Sequence, residues 1–167
     1  MLPALKAQVQ ADGTADAVSF HGWLAHADVQ KVAVQSTVFA FPSIREFGGG
    51  VVLEAMALGL VPLVVDYAGP GELVSPEVGR KVPLGPREAI VAGVRAELTA
   101  MAADPASLLP LAAQARARVM AAYTWPQKAA QIARIYDWDL RRRGDKPDFT
   151  ADLAGSGSGD SKGAPDA

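Results

Sequence analysis

Two glutamates flank a run of three glycines in the stretch PSIREFGGGVVLEAMALG, residues 42–59. Glu46 precedes the glycines and Glu54 follows them. Glycine allows close backbone approach to a ligand at little steric cost. Here the glycines lead into a predicted helix, whose first N–H groups have no intrahelical partners. Those donors and the helix dipole favour an anion such as phosphate, so the stretch predicts an anion site between two acids.

The two acids have a predicted use other than binding the anion, because a carboxylate beside a phosphate is electrostatically unfavourable. Carboxylate oxygens only accept hydrogen bonds, which suits the vicinal hydroxyls of ribose or a hexose. Glu54 lies about one turn into the predicted helix, within reach of a sugar beside the phosphate, and Glu46 lies at the other side of the loop. A diphosphate with a sugar on each side fits this pattern.

The elements around the stretch predict a parallel sheet. The apolar run TVFAF, residues 37–41, is typical of a strand buried on both faces, and a second such run, VPLVV, occupies residues 61–65. A helix over 51–58, ended by Gly59, connects them. Strand, helix and strand form one βαβ unit, so the sequence predicts an α/β fold with the glycine loop at the carboxyl end of a strand, where such sheets bind ligands.

The rest of the chain extends the same alternation. A single Rossmann-like domain is expected over residues 1–143, and the small, polar stretch 144–167 predicts a disordered tail. The other expected elements are a helix to about residue 10, a short strand at 17–20, a helix at 28–35, a turn at Gly69-Pro70-Gly71, a weak strand at 80–84, and helices at 86–103, 106–123 and 126–143.

Composition excludes several classes of protein. The net charge of -2 provides no excess of Lys and Arg for nucleic acid, and the absence of cysteine excludes disulfides and thiolate chemistry. No apolar run approaches the roughly 20 residues of a membrane span, and no signal peptide is evident, so a cytosolic location is expected. His21 and His26 fit no standard metal-site spacing, and no metal is expected.

Two other interpretations of the glycine loop stay open from the residues alone. The loop is also compatible with a purely structural strand-to-helix connection. A dinucleotide-binding turn is the second alternative, with Gly48 and Gly50 as its first two glycines and Asp66 as the ribose-binding acid. That match is weak because Leu53 occupies the third glycine position and several residues separate the strand from the first glycine.

The stretch resembles the retaining glycosyltransferases of the GT-B fold, group 1 (family 4). Their Glu-x7-Glu motif is matched by residues 46–54, preceded by Pro42-Ser43 and followed by Ala55-Met56-Ala57 and Gly59. Val18-x-Phe20-x-Gly22, Gly71-Glu72 and Tyr123-Thr124-Trp125 are similar to further landmarks of the family. The resemblance covers roughly residues 12–140.

The resemblance implies a role for each matched position. Glu46 would be the catalytic-site residue that contacts hydroxyls of the donor sugar, and Glu54 would accept hydrogen bonds from the ribose diol. The turn after Phe20 would lie near the base, and backbone N–H groups would hold the sugar and diphosphate. The implied donor-binding residues are Gly22, Trp23, Ser43, Glu46, Phe47, Gly48, Gly49, Gly50, Val51, Val52, Leu53 and Glu54.

The implied protein is the C-terminal, donor-binding half of an enzyme that transfers a hexose from a nucleotide-diphosphate sugar, in glycan, polysaccharide or glycolipid synthesis. No cofactor or metal is implied. The family's phosphate-stabilising Arg and Lys and its N-terminal Rossmann-like domain have no counterpart in the sequence, so we expect negligible transfer by this chain alone and some apolar surface left uncovered. A non-catalytic nucleotide-sugar-binding module is the alternative, and a dinucleotide-binding oxidoreductase domain is the weaker one.

Two features near the end of the chain have a structural interpretation as well as a functional one. Residues 141–143 are three arginines that complement a helix dipole, or else attract anionic lipid in a peripheral membrane contact. The side chains Trp125, Ile132, Ile135 and Tyr136 recur at helical spacing. They predict a packing surface, part of which is expected to be uncovered because the last helix of the family crosses to the other domain.

Overall fold

The computed structural model describes residues 2–142 and 144–149, and it divides into two units between Val32 and Ala33. The first unit holds helix α1 (Leu2–Ala11), a short 3-10 turn at Ala15–Ala17, and helix α2 (His26–Ala33), whose last residue belongs to the second unit. Within the first unit, the Lys6 ammonium lies 5.8 Å from the centre of the Phe20 ring.

The strand predicted at residues 17–20 is wrong. Ala17 ends the 3-10 turn, and residues 18–20 have no regular secondary structure. A strand forms only when a neighbour accepts and donates its backbone hydrogen bonds, and no described strand pairs with this segment. Local β-propensity alone therefore misled the prediction.

The second unit is built on a three-stranded parallel sheet in the order β1-β2-β3. The strands are β1 (Val38–Phe41), β2 (Val61–Asp66) and β3 (Arg80–Pro83). Val38 pairs with Val61, and Leu63 pairs with Arg80. The first five residues of the central strand β2 are buried, as its uninterrupted apolar run predicts. The predicted parallel sheet is confirmed.

In the described part of the second unit, five helices accompany the sheet: α3 (Gly50–Ala57), α4 (Ala68–Leu73), α5 (Arg87–Ala103), α6 (Leu108–Ala122) and α7 (Trp125–Asp139), of which α7 packs on α6. Alternate residues of a strand point to opposite faces, so β2 contributes to two cores. Val61, Leu63 and Val65 pack with Ile90 of α5, while Val64 packs with helices α3 and α6. The helices predicted from periodicity all form, with ends shifted by no more than four residues.

Helix α3 ends as its glycine predicts. Gly59 has φ +86° and donates its N–H to Met56 O at 3.0 Å, while Leu60 N donates to Ala55 O at 3.0 Å. These two bonds are the Schellman pattern, which needs a left-handed residue after the helix. The chain therefore turns directly from α3 into the buried strand β2.

The predicted turn at Gly69-Pro70-Gly71 is wrong, because these residues lie inside helix α4. Pro70 falls in the first turn of the helix, where its missing N–H costs no hydrogen bond. Gly71 N donates to Tyr67 O at 3.1 Å, and a Cβ at Gly71 would lie 2.9 Å from Asp66 Oδ1. The glycine is required by close packing rather than by a turn.

Helix α7 is covered less than its sequence predicts. None of its residues is buried, and Trp125 is 88% exposed and Tyr136 63%. Ile132 and Ile135 are exposed as well, so the predicted packing surface is not covered by the described residues; that another domain covers this face stays a prediction. The helix ends at Asp139, so Arg141 and Arg142 lie beyond it, and Arg142 pairs with Asp137 at 3.8 Å.

Some predictions fall on residues that the structure does not describe. Arg143 and the predicted tail from residue 150 onward lie outside the described residues, and 144–149 contain no helix or strand. The division into a domain over 1–143 and a tail stays a prediction. None of the helices in the described ranges has the length and apolar character that a bilayer crossing requires.

Candidate functional site

The glycine loop runs from the carboxyl end of β1 into the first turn of α3, as predicted. Gly49 caps the helix with φ +67°, a left-handed conformation that side chains other than glycine rarely adopt. It is buried, and a Cβ there would lie 3.1 Å from both Pro70 N and Leu73 Cδ1. Conformation and space therefore both require glycine at the second position of the triplet.

Helix α4 packs against the glycine loop and is hydrogen-bonded to it. Gly69 N donates to Phe47 O at 3.0 Å, and a Cβ at Gly69 would overlap that carbonyl oxygen. The backbones of loop and helix thus touch directly. Sequence reasoning missed this role of Gly69, although a glycine just beyond a second strand of a parallel sheet was a signal of a close backbone approach.

The Glu46 carboxylate is bonded to the backbone of its own loop. Its Oε1 accepts hydrogen bonds from Phe47 N at 3.1 Å and from Gly49 N at 3.2 Å. Glu46 is half-buried. Two amides in the stretch that was expected to face a ligand are therefore occupied by a side chain of the site itself, which the sequence did not indicate.

The other amides of the turn divide into two groups. Val52 N donates to Gly49 O at 2.9 Å and is not available to a ligand. The N–H groups of Gly48, Gly50 and Val51 have no acceptor among the residues that the structure describes. Gly50 and Val51 are exposed and form the first turn of α3. They are the donors that the helix dipole reinforces for an anion.

Glu54 lies on the same side of α3 as these donors. It is four residues after Gly50, so the two share one helix face, and helical side chains lean toward the N-terminus. Glu54 is exposed, and its carboxylate makes no hydrogen bond or ion pair within the described ranges. The opposite face of the helix is buried through Val52 and Met56. The site therefore has an acid on the helix and an acid in the loop.

The remaining predicted donor residues differ in what they expose. The Phe47 side chain is 95% exposed beside the loop, and Ser43 Oγ accepts from Arg45 N at 3.4 Å. Val52 is buried and Leu53 packs partly against the core, so these side chains anchor the helix. Gly22 (φ +66°) and Trp23 (92% exposed) belong to the first unit, and their predicted place near the base stays a prediction.

Asp66, the ribose-binding acid of the dinucleotide alternative, is engaged elsewhere. Its Oδ1 pairs with Lys81 Nζ at 2.9 Å, and the same ammonium donates to Gly71 O at 3.1 Å. This ion pair connects the end of β2 and the beginning of β3 to helix α4. The carboxylate is thus part of the support of α4.

A second polar cluster supports the segment that follows α4. Arg118 of α6 donates to Ser75 Oγ at 2.8 Å and lies 3.9 Å from the Glu77 carboxylate. The hydrogen bond from Ser75 lowers the pKa of Glu77. Burial raises the pKa of Tyr123, which packs against the same side of the sheet. The cluster connects α6 to the segment between α4 and β3.

A metal site is not apparent among the described residues, because no group of three His, Asp or Glu side chains is placed to hold an ion. The ring of His26 faces the side chain of Gln30, with 3.2 Å between their nitrogens. At the glycine loop, the unpaired amides at the start of α3 can hold an anion.

The comparison with known families decides what kind of protein carries this site. Residues 3–100 match the family model described as glycosyl transferases group 1. That match covers more than half of the chain and includes the whole glycine loop and both glutamates. The chain belongs to the group 1 glycosyltransferases. The general activity of this family is the transfer of a sugar.

A solved structure supports the assignment. The glycosyltransferase chain is similar to sucrose-phosphate synthase from Thermosynechococcus elongatus, with 28% sequence identity and a TM-score of 0.67. The similarity covers 83% of this chain and 34% of that one. The parallel sheet and its flanking helices match the GT-B fold of this neighbour, so the predicted fold class is confirmed. The search of curated proteins found no significant match to this sequence.

Proposed function

We propose that the chain binds a nucleotide-diphosphate sugar and forms the donor-binding half of a retaining glycosyltransferase. One observation carries the proposal: two exposed residues at the start of α3, Gly50 and Val51, have unpaired N–H groups and lie in the sequence between Glu46 and Glu54, in the loop that follows a parallel strand. Amides of this kind bind phosphate oxygens, and carboxylates accept from sugar hydroxyls. Membership of the group 1 family supports both assignments.

The diphosphate, the ribose and the transferred sugar each have a proposed partner in the second unit. The amides of Gly50 and Val51 hold the diphosphate, and Glu54 accepts from the ribose diol on the exposed side of α3. Glu46 contacts hydroxyls of the transferred sugar. The exposed ring of Phe47 is an apolar surface for the transferred sugar. Neutralisation of the leaving diphosphate by the helix end needs no metal ion in this scheme.

The complete reaction involves more than this chain, in our proposal. The chain spans about one third of the sucrose-phosphate synthase that it matches. We propose that a second Rossmann-like domain or chain supplies the acceptor site, and that this polypeptide alone gives negligible transfer. The product would be a glycan, polysaccharide or glycolipid, made in the cytoplasm or at the inner face of the membrane.

Calorimetric titration with UDP, GDP, ADP and NAD tests donor binding. Binding of one nucleoside diphosphate that is clearly weaker in Glu54→Ala supports the proposal. Glu88→Ala is the matched control, because Glu88 is an exposed acid on α5 and its replacement removes the same charge. Preferential binding of NAD, or no binding of any of the four, contradicts it.

A donor-hydrolysis assay separates the enzyme from the binding module. Slow release of free sugar from a bound nucleotide sugar, lost in Glu46→Ala, indicates that the chain carries catalytic groups. Binding without release, even when a second Rossmann-like chain and an acceptor are added, indicates the non-catalytic module.

A further inference from the structure

We propose that Glu46 distinguishes the intact nucleotide sugar from the spent nucleoside diphosphate, because its carboxylate exchanges between the loop amides and the hydroxyls of the donor sugar. The inference rests on the proposed function, since it assigns the selectivity of the same site. It concerns which ligand is retained and which is released. A residue with this action promotes product release as well as donor binding.

The structure contains one of the two states of the proposed exchange, in which the Glu46 carboxylate is bonded to the loop amides. Oε1 accepts from both Phe47 N and Gly49 N. The carboxylate thus provides these donors with the kind of negatively charged oxygen that a ligand would bring. An anion can take these donors only when the carboxylate leaves them.

The loop backbone is fixed, so the side chain is the moving part. Gly69 N holds Phe47 O at 3.0 Å, and the left-handed Gly49 is enclosed by Pro70 and Leu73. Rotation of the Glu46 side chain therefore leaves the amides in place and aimed as before. The exchange changes partners and does not remodel the turn.

The sugar decides whether the exchange is favourable. A nucleotide sugar brings hydroxyl groups, each of which accepts from an amide and donates to a carboxylate. Every group is then satisfied after Glu46 has moved. A bare diphosphate accepts from the amides but has no hydroxyl at this point, and it brings negative charge against the displaced carboxylate. The carboxylate thus opposes the product and tolerates the substrate.

Two affinities are expected to change in opposite directions when the carboxylate is removed. In Glu46→Ala, the bare nucleoside diphosphate held by Gly50 and Val51 no longer faces the charge of the carboxylate and can also accept from the freed amides of Phe47 and Gly49. It therefore binds about tenfold more tightly, which corresponds to one charged hydrogen bond. The nucleotide sugar loses a hydroxyl acceptor and binds more weakly. Glu46→Gln removes the charge and keeps an acceptor oxygen, so its gain in diphosphate affinity is smaller.

The test uses calorimetry with three ligand pairs: UDP and UDP-glucose, GDP and GDP-mannose, ADP and ADP-glucose. The pair that wild type binds best is then titrated into Glu46→Ala, Glu46→Gln and the control Glu88→Ala. Amide 1H–15N resonances of Phe47 and Gly49 provide a readout that needs no ligand. Both resonances should shift in Glu46→Ala and stay unchanged in the control, and thermal unfolding verifies that each variant folds.

The outcomes separate this inference from the proposed function. Tighter diphosphate binding in Glu46→Ala, with a smaller gain in Glu46→Gln, supports the exchange. Unchanged or weaker diphosphate binding in a folded Glu46→Ala overturns it, while donor binding by wild type leaves the proposed function standing. If wild type binds none of the six ligands, both the function and the exchange fail.

Discussion

The glycine triplet offers three identical substitutions with different expected consequences, and Gly49→Ala is the informative one. Gly49 has φ +67° and little free space around its Cα. Gly48 and Gly50 have no positive φ, and a Cβ at either one would meet nothing within 4 Å. Since the chemical change is the same at all three positions, differences in stability report the local backbone geometry.

The magnitude for Gly49→Ala has two parts. A left-handed conformation costs an alanine about 1–2 kcal/mol. The new methyl group would also lie 3.1 Å from the backbone nitrogen of Pro70, which cannot move without shifting helix α4, and overpacking of this kind costs about 1–3 kcal/mol. Together these predict a loss of about 3 kcal/mol, or about 6–12 °C in melting temperature for a chain of this size.

Urea denaturation of wild type and the three variants measures the effect. We expect Gly48→Ala to lie within about 0.5 kcal/mol of wild type. Gly50→Ala should be neutral or slightly stabilising, because alanine favours a helix more than glycine does. A further assay, nucleotide binding, should show the largest loss in Gly49→Ala, since a displaced loop misplaces the amides.

One result would refute the reasoning. If Gly49→Ala unfolds at the same urea concentration as Gly48→Ala, then neither the left-handed conformation nor the contact with Pro70 constrains the loop. The rigid backbone on which the proposed Glu46 exchange depends would then be wrong as well.

Four further predictions follow from other contacts. Glu54→Ala should weaken nucleotide binding by about 1.5–3 kcal/mol through the loss of charged hydrogen bonds, and equal calorimetric affinities in mutant and wild type would remove Glu54 from the site. Lys81→Met should destabilise the chain by about 1 kcal/mol, because it breaks a half-exposed ion pair with Asp66 and a bond to a carbonyl; chemical denaturation that shows no change would count against this support of α4. Gly59→Ala should cost about 1 kcal/mol from its positive φ alone, because no atom lies near the new methyl group, and a loss above 3 kcal/mol would mean that packing was misjudged. Because the pKa of Tyr123 is raised in the fold, stability is retained below about pH 10 and falls as the pH rises through the folded pKa; Tyr123→Phe should reduce this fall in alkaline unfolding curves, and identical curves would contradict it.

The fold was largely predictable because the central strands carry their own signal. The apolar runs of β1 and β2 and the glycine after α3 indicate a buried parallel pair with a helix between them, and the structure has these elements within a residue or two. The strand expected at 17–20 failed since strand formation depends on a partner elsewhere in the chain. Helix α4 was mistaken for a turn because glycine and proline were interpreted by local preference, whereas tertiary contacts select the helix there.

The residue types of the candidate site were predictable, but the hydrogen bonds within it were not. The spacing of Glu46 and Glu54 around three glycines is a linear pattern, so it pointed to the loop and to the helix end. The bonds from Phe47 N and Gly49 N to Glu46 were not predictable, because they depend on how one side chain folds back over a particular turn. Likewise, the approach of Gly69 to Phe47 joins two segments that are distant in sequence.

The sequence by itself determined the β1-α3-β2 unit, the glycine loop between two acids, and the family resemblance, since each is carried by neighbouring residues. Only the tertiary structure decided which amides are open and which are occupied, and which of the glycines is constrained. Those properties depend on contacts between α4 and the loop, and on the rotation of one carboxylate, and such contacts arise only when the sheet brings the ends of β1 and β2 together.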